Sequence, residues 1–527
     1  MSAVTKPSRR IGGRAARVAQ READSKMAHI DMPAEGYSGG QYKPLSDHDV
    51  SRIHTSALHI LETVGMGMMG DITEGAKKIL EMGGELSDQR RILFPRALIE
   101  DMLATTTKSW TLHGLDPDNN IEISHKGAHY GTAGGAVEIL DFETGIYREP
   151  TLDDLYDSAR LIDTLPNIHW CYRPLIARDM PDVDALDINT AYALLSGTTK
   201  PWGITLGSAE NVKKAISMFD MVLGGEGRFK SQPSCHMVQG AGVPPLRFAN
   251  DRCIIKEEAI RQGMPIMIAS APQAGATSPA ALAGTIVQVV AEVLAGLTYA
   301  NAIAPGHPCN FAAWPFVADL RTGAMSGGSG EQALLAAAVA QMSDFYGLPS
   351  SVPAGMADSK LPDAQSGAEK AYTTALAGLA GANMVHESAG MHASLLGFAL
   401  ESLVIDNDML GNVQRLIRGI EVTDETLSTH VIEDVILKGP GHYLGHDQTL
   451  GLMESEYHYP ALADRATPRE WQENGAKDIV ARAKTQVRAT LSSHYPSHID
   501  PKLDAEIRAR FDIRLPESHM TSTGGRW

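Results

Sequence analysis

Between about residue 129 and residue 410 the chain repeats one local pattern, a short β-rich or Gly-rich run followed by a long Ala-rich stretch of helical composition. The runs are Tyr130–Leu140, Ile168–Arg173, Trp202–Leu206, Ser234–Gln239, Ile266–Ser270, Cys309–Ala313, Ser351–Gly355 and Asn383–Glu387. From the second onward their starts lie roughly 32 to 43 residues apart, the length of one strand–helix unit with its loops. Strands that alternate with helices pair in parallel, because a helical crossover returns the chain to the same end of the sheet. Eight such units over about 280 residues predict an α/β chain built as a (β/α)8 TIM barrel. Helix starts agree: Thr151 with Asp154, and Ser208 with Glu210 and Asn211, stand where side-chain oxygens cap free backbone N–H groups. The first run also fits a hairpin placed ahead of the barrel.

The flanks divide into a basic tail and linker over residues 1–42, an N-terminal helical segment over 43–128, and a helical extension over 411–527 that packs on the barrel. Ser46 with Asp49 opens a helix whose apolar stripe includes Ile53, Ala57, Ile60, Leu61 and Val64. Gly65 to Gly70 matches GxGxxG in form, but it follows a helix rather than a strand and reads as helix termination, not a dinucleotide loop. Thr467-Pro468-Arg469-Glu470 is a capping box that opens a helix through Ala489.

Charge and cysteine usage narrow the setting. Residues 1–26 carry a net +5, so an overall charge of −17 leaves −22 on the rest of the chain. Such a body lacks the basic face that a phosphate backbone needs, which excludes nucleic acid as a partner. The tail has no apolar segment after its charges and is not read as a secretory signal. The most apolar stretch, Ala280 to Ala304, is interrupted by Gln288, Glu292 and Asn301, so it reads as a buried helix and no membrane span is expected. Cys171, Cys235, Cys253 and Cys309 are scattered, as in a reduced, cytoplasmic protein. A barrel this large and acidic is expected to form a homo-oligomer.

Barrel enzymes place their chemistry at the C-terminal ends of the strands. Those ends carry Tyr130, Trp170, Tyr172, Trp202, His236, Gln239, the Pro272–Gly275 turn, Trp314, Phe316, Asp358 and the His386-Glu387 pair. Aromatic faces attract quaternary ammonium groups through the ring quadrupole, and Asp358, Glu331 and Glu387 add negative field. Metal chemistry has weaker support. His442 and His446 beside Asp447 are spaced i, i+4, but Gly441 and Gly445 argue for a loop, and Cys235-His236 is an isolated pair. His386-Glu387 lacks the second histidine of a zinc-protease helix, and no metal ligand is assigned. The run Ser326 to Glu331 is no nucleophile elbow; its glycines let a loop pass close to a ligand, with Glu331 starting the next helix.

Several longer segments belong together: Pro272 to Gly284, Asp358-Ser359-Lys360-Leu361-Pro362-Asp363-Ala364-Gln365 on to Lys370, Gly381 to Gly390, and Tyr443 to Leu450. With them the chain resembles the trimethylamine methyltransferase family over nearly its whole length. That resemblance implies a (β/α)8 barrel that passes a methyl group from a methylamine to the cobalt of a corrinoid (cobalamin). A separate partner protein carries the corrinoid, and no cofactor is bound tightly by the chain itself. The founding archaeal members carry pyrrolysine in the active site. Every residue here is one of the standard twenty, so the chain is similar to the non-pyrrolysine branch, which includes glycine betaine:corrinoid methyltransferases and acts on quaternary amines.

Under that resemblance Tyr130, Trp202, Trp314 and Phe316 form the cation pocket. His386 is the donor to the substrate carboxylate or leaving group, Asp358 and Glu331 supply the field with Glu387 beside them, and Gln365 positions the loop. Arg173 or Arg321 can pair with a betaine carboxylate. The alternatives are a trimethylamine or other methylamine methyltransferase, a zinc-activated barrel methyltransferase using His442 and His446 or His236, and a non-catalytic betaine-binding protein.

Overall fold

The computed structural model describes residues 32–124, 127–132, 134–238, 240, 242–453, 455–524 and 526–527. The tail over 1–26 and Gln239 lie outside them. Eight strands alternate with eight helices, and the fold class is α/β. The strands are β1 (Gly127–Thr132), β2 (Cys171–Tyr172), β3 (Trp202–Ile204), β4 (Cys235–Val238), β5 (Ile266–Ser270), β6 (Cys309–Ala313), β7 (Ser351–Pro353) and β8 (Met384–Ala389). The helices are α1 (Leu152–Asp163), α2 (Val183–Gly197), α3 (Ala209–Val222), α4 (Asn250–Arg261), α5 (Leu282–Ile303), α6 (Gly330–Tyr346), α7 (Ala364–Leu379) and α8 (Leu400–Arg418). Local chemistry sets many of the helix starts. Thr151 and Asp154 form a reciprocal capping box on α1, Ser208 accepts from the Asn211 N–H on α3, and Asp363 accepts from Ser366 on α7.

All neighbouring pairs among the eight strands are parallel. Strands β2 to β6 form one sheet in chain order, and β7, β8 and β1 belong to another. Among the described residues, only two isolated parallel bridges join the two, Gly131 with Trp170 and Phe311 with Ser350. Strands β2 and β7 are two and three residues long, and among the described residues each seam has a single bridge, the first supplemented by Thr132 Oγ1 donating to the Tyr172 carbonyl at 2.7 Å. Ladder hydrogen bonding therefore makes two parallel sheets, where the sequence predicts one closed barrel.

The first run is both a strand and a hairpin: β1 ends at Thr132, and Glu138–Leu140 pairs antiparallel with Tyr147–Arg148. Segment 43–128 holds three helices and also short strands at Met66–Met69 and Arg91–Leu93 and a hairpin at Ser109–Leu112 and Ile121–Ser124. Gly65 ends the first of those helices at φ +60°, where a Cβ would lie 2.1 Å from the Ile92 carbonyl oxygen. Met66–Met69 then pairs with Arg247–Ala249, tying the segment to the loop after β4.

Helix α5 is the one described helix long and apolar enough to cross a membrane, and most of it is buried within the protein. Beyond α8 come α9 (Thr429–Leu437), α10 (Asp447–Leu452) and α11 (Ile479–Ser493). The Thr467–Glu470 capping box is present, but its helix stops at Glu473, and α11 begins anew at Ile479. Helix α11 packs on α8 and α1, and the C-terminal Arg526 and Trp527 reach the buried Asp157 of α1.

Candidate active site

Residues paired across parallel strands share a face of the sheet, and alternate residues point opposite ways. Tyr172, Gly203 and His236 lie in one register row, as do Pro353 and His386, while Gly131 pairs with Trp170. On that face the His386 ring is surrounded. Its centroid lies 4.3 Å from Trp170, 4.8 Å from Trp314, 5.6 Å from Tyr172 and 5.9 Å from His236. Barrel interiors are ordinarily filled by branched aliphatic side chains. Here rings fill the space, and two glycines let them in. A Cβ at Gly131 would sit 2.1 Å from the Trp170 indole, and one at Gly203 would sit 2.5 Å from His236 Nε2.

Both ring nitrogens of His386, both of His236 and Nε1 of Trp170 are buried with no hydrogen-bond partner. Leaving one such group unpaired costs about 1–3 kcal/mol, and five of them lie within this one cluster. Trp314 is anchored instead, donating from Nε1 to Ser351 Oγ at 3.2 Å. The Tyr172 hydroxyl meets Thr205 Oγ1 at 2.8 Å.

Burial sets the charge states. It pushes His236 down to about 3 and His386 well below the usual imidazole range, aided for His386 by the neighbouring His236. It pushes Glu387 up to about 8, only partly opposed by the Gly134 N–H that donates to its Oε2 at 2.7 Å. Near neutral pH all three are uncharged. Glu387 also holds φ at +67° where the β8–β1 register shifts, a strained backbone of the kind found where geometry serves function. At the end of β2, Arg173 has a buried Nε without a hydrogen-bond partner.

The other expected site residues lie elsewhere. Trp202 pairs with Cys171 and Cys235, one residue out of step with the inward row, and meets Phe219 of α3 edge-to-face at 5.4 Å. Tyr130 also faces the helices, its hydroxyl donating to the Thr374 carbonyl of α7. Neither belongs to the inner cluster, a correction that follows from the two-residue period of a strand. Phe316 sits on a short parallel ribbon with Gln273 and makes no ring contact with His386. Arg321 lies on an exposed loop, paired with Asp319 at 2.7 Å.

Asp358 ties loops together: it accepts from Ser326 Oγ, Gly327 N–H and Ser394 Oγ. Exposed Gln365 donates to Glu369, whose other oxygen accepts the Asp358 N–H. Glu331 is exposed at the start of α6, lining an outer cavity of about 400 Å³. Among the described residues no cluster of three or more His, Cys, Asp or Glu is placed to hold a metal, and His446 Nδ1 accepts from the Gln448 N–H.

The family model for trimethylamine methyltransferase matches residues 10–517. The chain belongs to the trimethylamine methyltransferase family. Trimethylamine methyltransferase of Desulfitobacterium hafniense is 30% identical over 468 residues, covering 88% of this chain and 92% of that protein. Glycine betaine methyltransferase of the same species (strain Y51) is 29% identical over 474 residues, covering 89% and 96%. Trimethylamine methyltransferase of Methanosarcina thermophila is 30% identical over 480 residues, covering 90% and 97%.

For a methyltransferase of this family, Trp170, Tyr172 and His236 are the residues that the sequence places at the strand ends but that the expected pocket leaves out. Each ring has a glycine opposite it, Gly131 facing Trp170 and Gly203 between Tyr172 and His236, a pairing that only the strand register assigns. The two tryptophans then separate by experiment. Trp202→Phe lowers the melting temperature, since it opens a cavity in the helix–sheet interface, and leaves amine affinity unchanged by calorimetry. Trp314→Phe weakens amine binding instead. A second expected result concerns Asp358: Asp358→Ala removes three hydrogen bonds to a carboxylate and costs about 2–4 kcal/mol in urea unfolding. Proteolysis then begins in the 326–329 loop.

Proposed function

We propose that the chain transfers a methyl group from a carboxylate-bearing quaternary amine, glycine betaine or a close relative, to the Co(I) of a corrinoid carried by a separate protein. The eight parallel strands, joined at both seams, are read as one closed (β/α)8 barrel with this site inside its C-terminal half. The observation that carries the reading is the buried, uncharged ring cluster around His386, with its five unpaired polar atoms; Arg173 follows Tyr172 at the end of β2.

The chemistry asks little of acids or bases. Co(I) supplies an electron pair to the methyl carbon, the N–CH₃ bond breaks, and its pair stays on nitrogen, so a neutral tertiary amine departs without a proton. What remains for the protein is to hold the cation, exclude water and aim one methyl group in line. The faces of Trp170, Trp314 and Tyr172 attract an ammonium group by about 0.5–2 kcal/mol per contact. Neutral His386 and His236 have N–H donors to spare, and Arg173 supplies the charge for a carboxylate. The ring faces and Arg173 together meet both charged ends of a zwitterion, whereas a bare cation finds no ionised Glu387 carboxylate near pH 7. The glycine betaine methyltransferase relative agrees with this choice.

The test mixes the purified chain with a reduced corrinoid protein and a panel of betaines, choline and methylamines, and follows cobalt methylation by absorbance. Methylation with a betaine and none with choline is the expected outcome. Methylation with trimethylamine alone, or betaine binding that never methylates cobalt, would overturn the reading.

A further inference from the structure

The stretch after α8 is built unlike the rest of the molecule. Over residues 420–453 only Val431 and Val435 are buried, and neither joins the main hydrophobic core. Of twenty-five large apolar side chains exposed among the described residues, thirteen fall between Leu416 and Tyr459. Ile420, Leu444 and Leu437 are 85%, 81% and 76% exposed. Helix α9 is apolar on two faces: Val431 and Val435 turn inward one turn apart, while Ile432 and Ile436, also one turn apart, face out. Apart from its anchorage, the hydrogen bonds of this stretch stay largely within it, such as those from Gln448 to Ser428 and Glu425. At its base Arg415 and Arg418 hold Glu456.

We propose that this arm is the interface of a two-fold dimer, docked on a second copy of the same chain. Thirteen large side chains at such exposures present on the order of 1,000 Å² of apolar surface. A standard interface covers about 800 Å² per partner, and a monomer's largest apolar patch is about 300–600 Å². A surface of that size needs a cover that is always present, and a second copy is. The arm's position also excludes the methyl acceptor, a clause that rests on the proposed function. Helix α8 runs back against the strands, so the arm leaves it where the strands begin. There Tyr457 and Tyr459 share a groove with Tyr37, which pairs with the start of β1, and with Leu165 and Asn167, which precede β2. A partner that visits His386 from the C-terminal ends of the strands docks at the opposite pole. It must also leave after each turnover, which a large apolar contact opposes.

Sedimentation velocity and light scattering of the full chain at micromolar concentration test the proposal without substrate, so failure here leaves the methyl-transfer reading standing. The expected species is a dimer or an even multiple, and Leu437→Asp with Leu444→Asp raises the dissociation constant at least 100-fold while circular dichroism is unchanged. Should that variant misfold, amide exchange of the wild type replaces it, with protection over 420–453 expected to fall on dilution. A monomeric wild type, a dimer indifferent to both substitutions, or arm protection that appears only on adding the corrinoid protein would overturn the proposal.

Discussion

His386→Ala is expected to lower methyl transfer at least about 100-fold while the protein stays folded, the scale of losing one preorganised donor in a water-excluded site. Its two ring nitrogens contribute no hydrogen bond to the resting fold, so their removal gives up contacts rather than a network. His386→Gln, which keeps a donor, should recover part of the rate, whereas His386→Phe should recover stability but not rate. Single-turnover absorbance at cobalt reads the rate and thermal unfolding reads the fold. Full activity in the alanine variant would remove His386 from the site. The histidines also set an acid limb. Because the folded imidazoles are depressed, stability is whole above about pH 6.5 and is lost as the pH falls toward the folded value of about 3 for His236.

Glu387→Gln is expected to flatten a slope of the opposite sign. The folded carboxyl titrates near 8, far above the ordinary 4.5. Between those values the folded state keeps a proton that the unfolded chain releases, so stability falls as the pH rises from about 4.5 and the full penalty is reached near pH 8. At about 1.4 kcal/mol per pK unit, the effect is on the order of a few kcal/mol. The glutamine variant should match the wild type near pH 4.5 and exceed it near pH 8 in urea unfolding. Parallel profiles would mean that Glu387 ionises freely in the folded protein.

What the sequence revealed follows the range of the interactions involved. The strand–helix rhythm and the caps at Thr151, Ser208 and Ser46 were legible because their partners lie within four residues. The inner face was not, since choosing Trp170 over Trp202 requires the register with the neighbouring strand, and one residue of slip reverses every side chain. The loop-tying role of Asp358 was not legible, because its three donors, Ser326, Gly327 and Ser394, come from loops that only the fold assembles. Apolar residues in the arm were indistinguishable from core by composition, as hydrophobicity says that a side chain is covered and not by what.

The two single-rung seams divide the strand layer into a group of three and a group of five, and the ring cluster straddles the division. His386 comes from the smaller group, Trp170, Tyr172, His236 and Trp314 from the larger. Trp170 forms one seam rung, and the Trp314–Ser351 hydrogen bond spans the other seam. An amine held among these rings therefore acts as a clasp between two semi-independent blocks. Occupancy should slow amide exchange most around Gly131, Trp170 and Ser350, far more than in the middle of either group. The sparsest strand ladders among the described residues thus lie beside the proposed amine site.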